Sequence, residues 1–331
     1  MTVQRNQGKQ SNMKYAFIVN PASGQGKHDR GIATEIEELI KGNPNRDIRL
    51  YYTRGETDAT YLSGLLAEEA AMSGDDIVIF ACGGDGTVQE VANGIYGHDN
   101  AVLGVVPVGS GNDFVRQLGI KKGNGKSYLN LPEQLDGMVT KMDLIRMSWI
   151  EKGEEKTRFI TNGINIGFDG NTAILAHSLK RLPLVSGTGS YLMAVAANLA
   201  GKKGQKLRIT ADGKNFHTGK LLLATAANGG FCGGGVRSCP NADLYDGLIE
   251  LLAIKDLPRR KFVALFPKYK AGKLFSIKGV EDIAAYTQAR NILIEPMLAP
   301  TMKFVGDGEI FETGALRIDV EPKAIKVLVI A

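Results

Sequence analysis

The fold is decided by the stretch Ile77-Val78-Ile79-Phe80-Ala81-Cys82-Gly83-Gly84-Asp85-Gly86-Thr87. Its apolar, β-branched start is typical of a strand buried on both faces of a parallel sheet. The glycines and the helix-like residues 88–93 then predict a turn and a helix N-terminus, whose free N–H groups favour a phosphate. Asp85 would repel that phosphate unless a cation lies between them, so the turn indicates Mg²⁺. The alternative is an ordinary strand-to-helix turn with an aspartate that hydrogen bonds locally.

Two further stretches repeat this pattern of strand, glycine turn and helix. They begin at residues 14–20 and 101–108, and a strand over 48–53 and a helix over 58–72 lie between them. Alternating strands and helices predict an open, mostly parallel sheet with helices on both faces, and a ligand at the carboxyl ends of the strands. Three strand ends carry residues capable of chemistry: Asn20, Asp85 and Asp113.

The second half of the chain has a different pattern. Residues 139–148, 206–210, 219–225 and 247–252 alternate with period two, as do 316–320 and 325–330, and helix-like stretches cover 171–181 and 190–200. Such alternation predicts half-buried antiparallel strands. We therefore expect a disordered N-terminus over 1–13, an α/β nucleotide-binding domain over 14–140 and a mainly antiparallel β domain over 141–331. The active cleft would lie between the domains, and the last strand can pack back on the first.

Composition predicts an ordinary two-domain protein in the reducing setting of the cytoplasm. The chain has 331 residues, 44% hydrophobic and 23% charged, and a net charge of +5, which suits a phosphate ligand or an anionic membrane surface. Its three cysteines lack the spacing of a disulfide framework or a zinc site. No apolar run reaches the length of a membrane span, and the polar first dozen residues do not resemble a signal peptide.

Four motifs together carry a family resemblance. They are Asn20-Pro21-x-Ser23-Gly24, Gly83-Gly84-Asp85-Gly86-Thr87, Pro107-x-Gly109-Ser110-Gly111-Asn112-Asp113-Phe114 and Asp307-Gly308-Glu309. In this order they resemble the bacterial diacylglycerol kinase and lipid kinase family, which is related to sphingosine and ceramide kinases. The glycine-rich residues 228–235 and Asp246-Gly247 are also similar. The resemblance implies an NAD-kinase-like fold and transfer of phosphate from ATP, with Mg²⁺, to a lipid hydroxyl, with diacylglycerol as the default acceptor.

The resemblance also implies roles for individual residues. The expected nucleotide contacts are Asn20, Pro21, Ala22, Ser23, Gly24, Thr53, Gly83, Gly84, Asp85, Gly86, Thr87, Glu90, Ser110 and Asn112. The expected ligands of the catalytic Mg²⁺ are Asp85, Asp113 and Asp143, and those of a second, structural Mg²⁺ are Asp243, Asp246 and Leu248. Asp143 can equally be a polar residue on an ordinary strand, and Asp246 can belong to an ordinary turn.

The late Asp307-Gly308-Glu309 resembles the family's base position. Phosphoryl transfer to a hydroxyl needs a carboxylate that accepts the hydroxyl proton. Asp307, assisted by Glu309, is the expected base, and Asp85 is the third residue expected to take part in catalysis. The alternative is a hairpin turn, a common use of Asp-Gly, and both interpretations can hold together.

The expected partner is a lipid presented by the cytoplasmic membrane surface, with transient peripheral association. We expect no nucleic acid, and a homodimer is left open. Residues 259–270 interleave basic and aromatic side chains, which predicts either an interfacial segment or a solvated helix with its apolar face in the core. Rival functions are an NAD kinase, which shares the Gly-Gly-Asp-Gly-Thr turn, a kinase of another lipid, and a non-catalytic sensor of nucleotide or lipid.

Overall fold

The computed structural model of the protein describes residues 12–23, 29–109, 111–119, 131, 135–167 and 204–329. The helices predicted over 171–181 and 190–200 lie outside the described residues. The first half contains, in chain order, β1 (Met13–Val19), α1 (Asp29–Gly42), β2 (Asp47–Tyr52), α2 (Asp58–Ser73), β3 (Asp76–Gly83), α3 (Asp85–Ile95), β4 (Ala101–Pro107) and α4 (Asp113–Gln117).

The strands of the first half form the predicted parallel sheet. Their order is β2-β1-β3-β4, and each neighbouring pair is parallel. Successive residues of β1 point to opposite faces, as a strand requires. Phe17 packs with α1 on one face, whereas Ala16 and Ile18 pack with α2 and α3 on the other. Helices therefore cover both faces of this sheet, as the sequence predicts.

The second half is mainly antiparallel. It contains β5 (Met138–Glu151), β6 (Glu154–Ile160), β7 (Gly163–Gly167), β8 (Gln205–Ala211), β9 (Lys214–Ala227), β10 (Ile249–Lys255), α5 (Arg259–Lys270), β11 (Ala284–Ala289), β12 (Asn291–Pro296), β13 (Met302–Gly306), β14 (Glu309–Thr313) and β15 (Leu316–Val329). Two short 3₁₀ turns, Leu274–Ser276 and Val280–Asp282, lie between α5 and β11. The period-two alternation of the sequence thus corresponds to real strands.

Two long strands join the halves. β5 and β15 have 14 residues each and pair antiparallel along most of their length. The end of β15 then pairs in parallel with β4, with Lys326 opposite Val102. The predicted boundary at residues 140 and 141 falls inside β5, so it divides a continuous strand.

The N-terminal stretch predicted as disordered, residues 1–13, overlaps the first strand at its last residue. Residues 1–11 lie outside the described residues, but β1 begins at Met13. The carbonyl of Asn12 accepts a hydrogen bond from the Asp76 N–H at 3.2 Å. Strand pairing with β3 therefore fixes the chain from residue 12 onward.

Helix α5 covers the second half with its apolar side. Phe262 and Tyr269 are buried at 2% and 1% exposure, and Leu265 and Phe266 pack against the same cluster. Of the two predictions for residues 259–270, this agrees with the solvated helix whose apolar face lies in the core, because Phe262 and Tyr269 pack inside the protein. In the described part of the chain, no helix is long and apolar enough to cross a bilayer.

Candidate active site

The Asn20 turn contacts the start of α3. The Asn20 Nδ2 group donates a hydrogen bond to the Thr87 Oγ1 atom at 3.1 Å. Its Oδ1 atom accepts the N–H of Ala22 at 3.0 Å, and its carbonyl accepts the N–H of Ser23 at 3.0 Å. Thr53 lies next to this turn, since its N–H donates to the Val19 carbonyl at 3.0 Å. Two of the predicted phosphate turns are therefore joined directly.

The turn after β4 packs closely on the turn after β3. The Gly83 carbonyl accepts the N–H groups of Val108 and Gly109 at 3.0 and 3.1 Å. A Cβ atom added to Gly109 would lie 2.4 Å from the Gly84 Cα atom, so any larger residue would force the backbones apart. Only glycine allows this approach, which leaves bare backbone at the ends of two neighbouring strands.

Asp85 and Asp113 form an electrostatically linked pair at the same strand ends. Asp85 Oδ1 accepts the Phe114 N–H at 3.1 Å. Asp113 is 5% exposed, and its carboxylate binds Arg116 Nη1 at 2.9 Å and the Gly234 N–H at 2.7 Å. Burial, and then the negative charge of Asp85, raise the pKa of Asp113 to about 6. A cation between the two carboxylates would relieve this repulsion.

Asp143 is held by backbone groups from two other segments of the chain. It is fully buried, and its two carboxylate oxygens accept the N–H groups of Gly247 and Lys323, both at 2.7 Å. Its charge is among those acting on Asp246. Asp143 thus holds together the turn before β10 and the irregular part of β15.

Asp85, Asp113 and Asp143, the predicted ligands of the catalytic Mg²⁺, each accept hydrogen bonds from backbone N–H groups. Within the described ranges, no group of three or more His, Cys, Asp and Glu side chains is arranged to hold a metal ion. A catalytic Mg²⁺ held by Asp85, Asp113 and Asp143, partly through water, remains a prediction.

The residues predicted for the second Mg²⁺ lie in one turn. Asp243 Oδ1 accepts the Tyr245 N–H at 3.0 Å, and Asp246 Oδ1 accepts the Leu248 N–H at 2.9 Å. Burial, and then the charges of Asp243 and Asp143, raise the pKa of Asp246. These contacts are those of an ordinary turn, so the second metal site also stays a prediction.

Asp307 occupies a two-residue hairpin between β13 and β14. Its φ is 44° and that of Gly308 is 93°, the combination that a tight hairpin of this kind requires. Its carboxylate accepts hydrogen bonds from the chain after β6, which reaches it from a neighbouring strand. The donors are Thr161 N at 2.6 Å, Thr161 Oγ1 at 2.7 Å, Asn162 N at 3.0 Å and Gly163 N at 2.9 Å.

Burial of this carboxyl group raises the pKa of Asp307 to about 6, although the hydrogen bonds oppose the shift. The carboxyl group is therefore mostly ionised at neutral pH, and its pKa lies close enough to neutral pH for the carboxylate to accept a proton. The structure confirms the hairpin at Asp307-Gly308. The raised pKa is compatible with a base at this position, and that role of Asp307 stays a prediction.

Glu309 and Glu90 are engaged by other groups of the protein. Glu309 Oε1 binds Arg158 Nη2 at 2.8 Å. Glu90 Oε2 accepts the Ala59 N–H at 3.1 Å, at the start of α2. The nucleotide contact predicted for Glu90 stays a prediction. Gly24 and Ser110, predicted to contact nucleotide, lie outside the described residues.

Two family models match the chain. The diacylglycerol kinase catalytic domain matches residues 14–147, and the YegS C-terminal NAD kinase beta sandwich-like domain matches residues 163–329. The second match alone covers half of the chain.

The chain belongs to the diacylglycerol kinase and lipid kinase family.

Named relatives agree with this membership. The chain is 28% identical over 315 residues to a diacylglycerol kinase of Mycobacterium tuberculosis, covering 95% of this chain and 94% of that protein. It is 32% identical over 220 residues to a probable lipid kinase YegS-like protein of Enterobacter, covering 65% of this chain and 67% of that protein. A crystal structure of a diacylglycerol kinase from Bacillus anthracis, 22% identical, has the same fold, with a TM-score of 0.66 and 96% of each chain covered.

The glycine turns of this lipid kinase fit a nucleotide phosphate and a cation. The Oδ1 atom of Asn112 is buried beside these turns and has no partner among the described residues. A Cβ atom added to Gly111 would lie 2.8 Å from Asp85 Oδ2, so this carboxylate faces bare backbone. Open backbone, an unpaired amide oxygen and two repelling carboxylates are a donor and acceptor set suited to Mg²⁺ and phosphate.

The motifs did not reveal the residues that connect the two parts of the candidate site. Gln117 of α4 accepts the Gly230 N–H at 2.9 Å and donates to the Ala242 carbonyl at 2.8 Å. Asn162 Nδ2 donates to the Phe231 carbonyl at 2.6 Å while its N–H binds Asp307. The only signal in the sequence was the polar turn Thr161-Asn162-Gly163 after a strand, and Gln117 gave none.

Proposed function

We propose that this lipid kinase transfers the γ-phosphoryl group of ATP, in the presence of Mg²⁺, to the hydroxyl of diacylglycerol and forms phosphatidic acid. The observation that carries the proposal is the half-buried carboxylate of Asp307, which residues 161–163 surround with hydrogen-bond donors and whose pKa is raised to about 6. Membership of the lipid kinase family supports the reaction class, and the residues at the strand ends support the nucleotide and the metal.

In this proposal the first half holds the donor. The turns at Asn20, Gly84 and Gly109 would bind the phosphates through backbone N–H groups and the N-terminus of α3. Asp85 and Asp113 would hold Mg²⁺, which supplies positive charge for the oxygens of the transferred group. The protein thereby orients the phosphoryl group toward the lipid hydroxyl.

Asp307 would act on the acceptor. A bond forms between the hydroxyl oxygen and the γ-phosphorus, the bond from that phosphorus to ADP breaks, and the hydroxyl proton passes to the Asp307 carboxylate. Three backbone N–H groups around this carboxylate are fixed, but the Thr161 hydroxyl can rotate away and leave room for the proton.

The test is transfer of label from γ-labelled ATP in mixed micelles that contain diacylglycerol, ceramide, sphingosine or a total lipid extract. NAD serves as a further acceptor in a separate reaction. Asp307→Asn is the blank, and Asp212→Asn, at a similar hairpin remote from these turns, is the matched control. We expect label in phosphatidic acid with the wild type and with Asp212→Asn, and almost none with Asp307→Asn.

Other outcomes would overturn the proposal in distinct ways. Label only in another lipid would keep the kinase and change its substrate. Label in NADP and in no lipid would replace the lipid kinase by an NAD kinase. ATP binding without transfer to any acceptor would favour a sensor.

A further inference from the structure

The segment 158–163 contacts parts of the site that belong to both halves of the molecule. Its last three residues donate the hydrogen bonds that hold Asp307. Its first residue, Arg158 on β6, carries a side chain that is 19% exposed and lies between the β13–β14 hairpin and α3. This short segment is therefore placed to control the distance between the hairpin and α3.

Arg158 contacts both the β13–β14 hairpin and α3 directly. Its Nη2 atom binds Glu309 Oε1 at 2.8 Å and also approaches Gln89 Oε1 at 3.3 Å. Glu309 belongs to β14, two residues after Asp307, and Gln89 belongs to α3, four residues after Asp85. One guanidinium nitrogen thus joins the strand after the proposed base to the helix after the proposed metal ligand.

The same face of α3 is fastened to β6 beyond this contact. Asn93 Nδ2 donates to the Phe159 carbonyl at 2.8 Å, and Asn93 Oδ1 accepts the Phe159 N–H at 3.0 Å. The rings of Tyr96 and Phe159 stack with centroids 3.8 Å apart. Gln89, Asn93 and Tyr96 are spaced by four and three residues, which puts them on one helix face. α3 therefore cannot shift along β6 without breaking several contacts.

The positive charge of Arg158 lies among the carboxylates of Glu90 and Glu309. Burial, opposed by backbone hydrogen bonds, raises the pKa of Glu90; the charge of Glu309 adds to the shift and Arg158 counteracts it. Without Arg158, the repulsion between the charges of Glu90 and Glu309 would lose the cation that counteracts it. Among the described residues, Arg158 Nε and Gln89 Nε2 are buried and have no hydrogen-bond partner. Such donors cost free energy, so stability alone does not account for this arrangement.

We propose that Arg158 is a positioning residue for phosphoryl transfer: through Glu309 it holds the β13–β14 hairpin, and with it Asp307, in place relative to the Asp85 end of α3. This inference rests on the proposed function. Displacement of a reacting group by about 1 Å can reduce a rate by about 10²-fold, so loss of this link should appear in kcat.

The first experiment compares Arg158→Met and Arg158→Lys with Arg146→Met. Arg146 is the matched control because it lies on the neighbouring strand β5 and also faces two carboxylates, Asp319 at 3.5 Å and Glu321 at 3.6 Å. We expect Arg158→Met to lower kcat by about 10- to 100-fold with an unchanged KM for ATP, and Arg158→Lys to recover part of the loss. Arg146→Met should keep the wild-type kcat. Equal kcat values for the two Met variants would overturn the proposal.

A double-variant cycle with Glu309→Gln tests the route of the effect. If Arg158 acts through Glu309, adding Arg158→Met to Glu309→Gln should change kcat by less than about twofold. Losses that multiply would show that Arg158 acts by another route and would overturn the inference. Should Arg158→Met fail to fold, Arg158→Lys takes its place in the cycle.

Hydrogen exchange separates this inference from the proposed function. The N–H of Asp307 donates to the Gly163 carbonyl at 3.1 Å, so its exchange reports the docking of the hairpin. We expect faster exchange over 305–310 and 161–163 in the Arg158 variants, and wild-type exchange there in Arg146→Met. Unchanged exchange in the Arg158 variants would overturn the positioning role. Absence of phosphoryl transfer by the wild type would instead overturn the reaction, and exchange would still decide whether Arg158 places the hairpin.

Discussion

Two hairpins of this lipid kinase are built on the same dipeptide and differ in what surrounds it. Asp212-Gly213 joins β8 to β9 with φ values of 46° and 75°, and Asp307-Gly308 joins β13 to β14 with 44° and 93°. Each aspartate accepts backbone N–H groups from a neighbouring segment. Asp212 is exposed and accepts two, from Arg290 and Asn291, both at 2.9 Å.

Asp307 has the same turn in a different environment. It is half-buried, its carboxylate accepts the backbone N–H groups of residues 161–163 and the Thr161 hydroxyl, and its pKa is raised to about 6. Backbone geometry alone explains why Asp and Gly stand in both turns, because both positions require a positive φ. The comparison teaches that chemistry at such a turn comes from the surface on which it is docked.

The largest expected difference between the hairpins is in turnover. Asp307→Asn should reduce phosphoryl transfer by about 10²- to 10⁴-fold, because the general base is lost while asparagine still tolerates the turn. Asp212→Asn should change the rate by less than about twofold, since surface substitutions away from a site have small effects. Initial rates at saturating ATP, with ATP affinity measured separately, check both.

Asp307→Asn could lose ATP affinity and thermal stability to an extent that accounts for its whole loss of rate. That result would contradict the difference in role between the two hairpins. Both aspartates would then be turn residues, and Glu309 would become the candidate base.

The next expected difference is in the dependence of rate on pH. A base must be ionised, so kcat should fall as the pH drops through the pKa of Asp307, about 6. At pH 5 the rate should be about tenfold below its plateau, in the wild type and in Asp212→Asn alike. Excess Mg²⁺ should be present, because the pKa of Asp113 is also raised to about 6. A rate that stays constant down to pH 5 would contradict this role.

Thr161→Val sharpens the same measurement. It removes the hydroxyl that donates to Asp307 at 2.7 Å, and loss of a bond to the ionised form raises a pKa. The acid limb should therefore move to higher pH by about one unit. Thr225→Val is the control, because the buried Thr225 hydroxyl donates to Asn165 rather than to Asp307. An equal shift in both variants would show that Thr161 has no specific effect.

The smallest expected effect is on stability, and here the hairpins should agree. Alanine at Gly308 or Gly213 is strained by the positive φ and should lower the free energy of unfolding by about 1–2 kcal/mol in each case. Only Gly308→Ala should also lower kcat, because its turn carries Asp307. Denaturant unfolding and initial rates measured on both variants test this, and a loss of kcat in Gly213→Ala would remove the distinction.

Much of the fold follows from local patterns in the sequence. Buried β-branched runs that end in glycine turns predicted β1, β3 and β4 within one or two residues, since strand periodicity and turn chemistry are local properties. The change to period two predicted the antiparallel half. The turns at Asn20, Asp85 and Asp113 were predicted to meet, and they do, because parallel strands bring their carboxyl ends to one edge.

What the sequence could not decide is long-range. Nothing near Asp143 in the chain indicates that its carboxylate binds Gly247 and Lys323, which are 104 and 180 residues away. The same holds for Arg158, whose partner Glu309 is 151 residues away. Asp212-Gly213 and Asp307-Gly308 read alike as sequence, and only the burial of one carboxylate against residues 161–163 makes it a candidate base. Turn geometry is set by neighbouring residues, whereas burial and the pKa it shifts are set by segments that meet only in the folded chain.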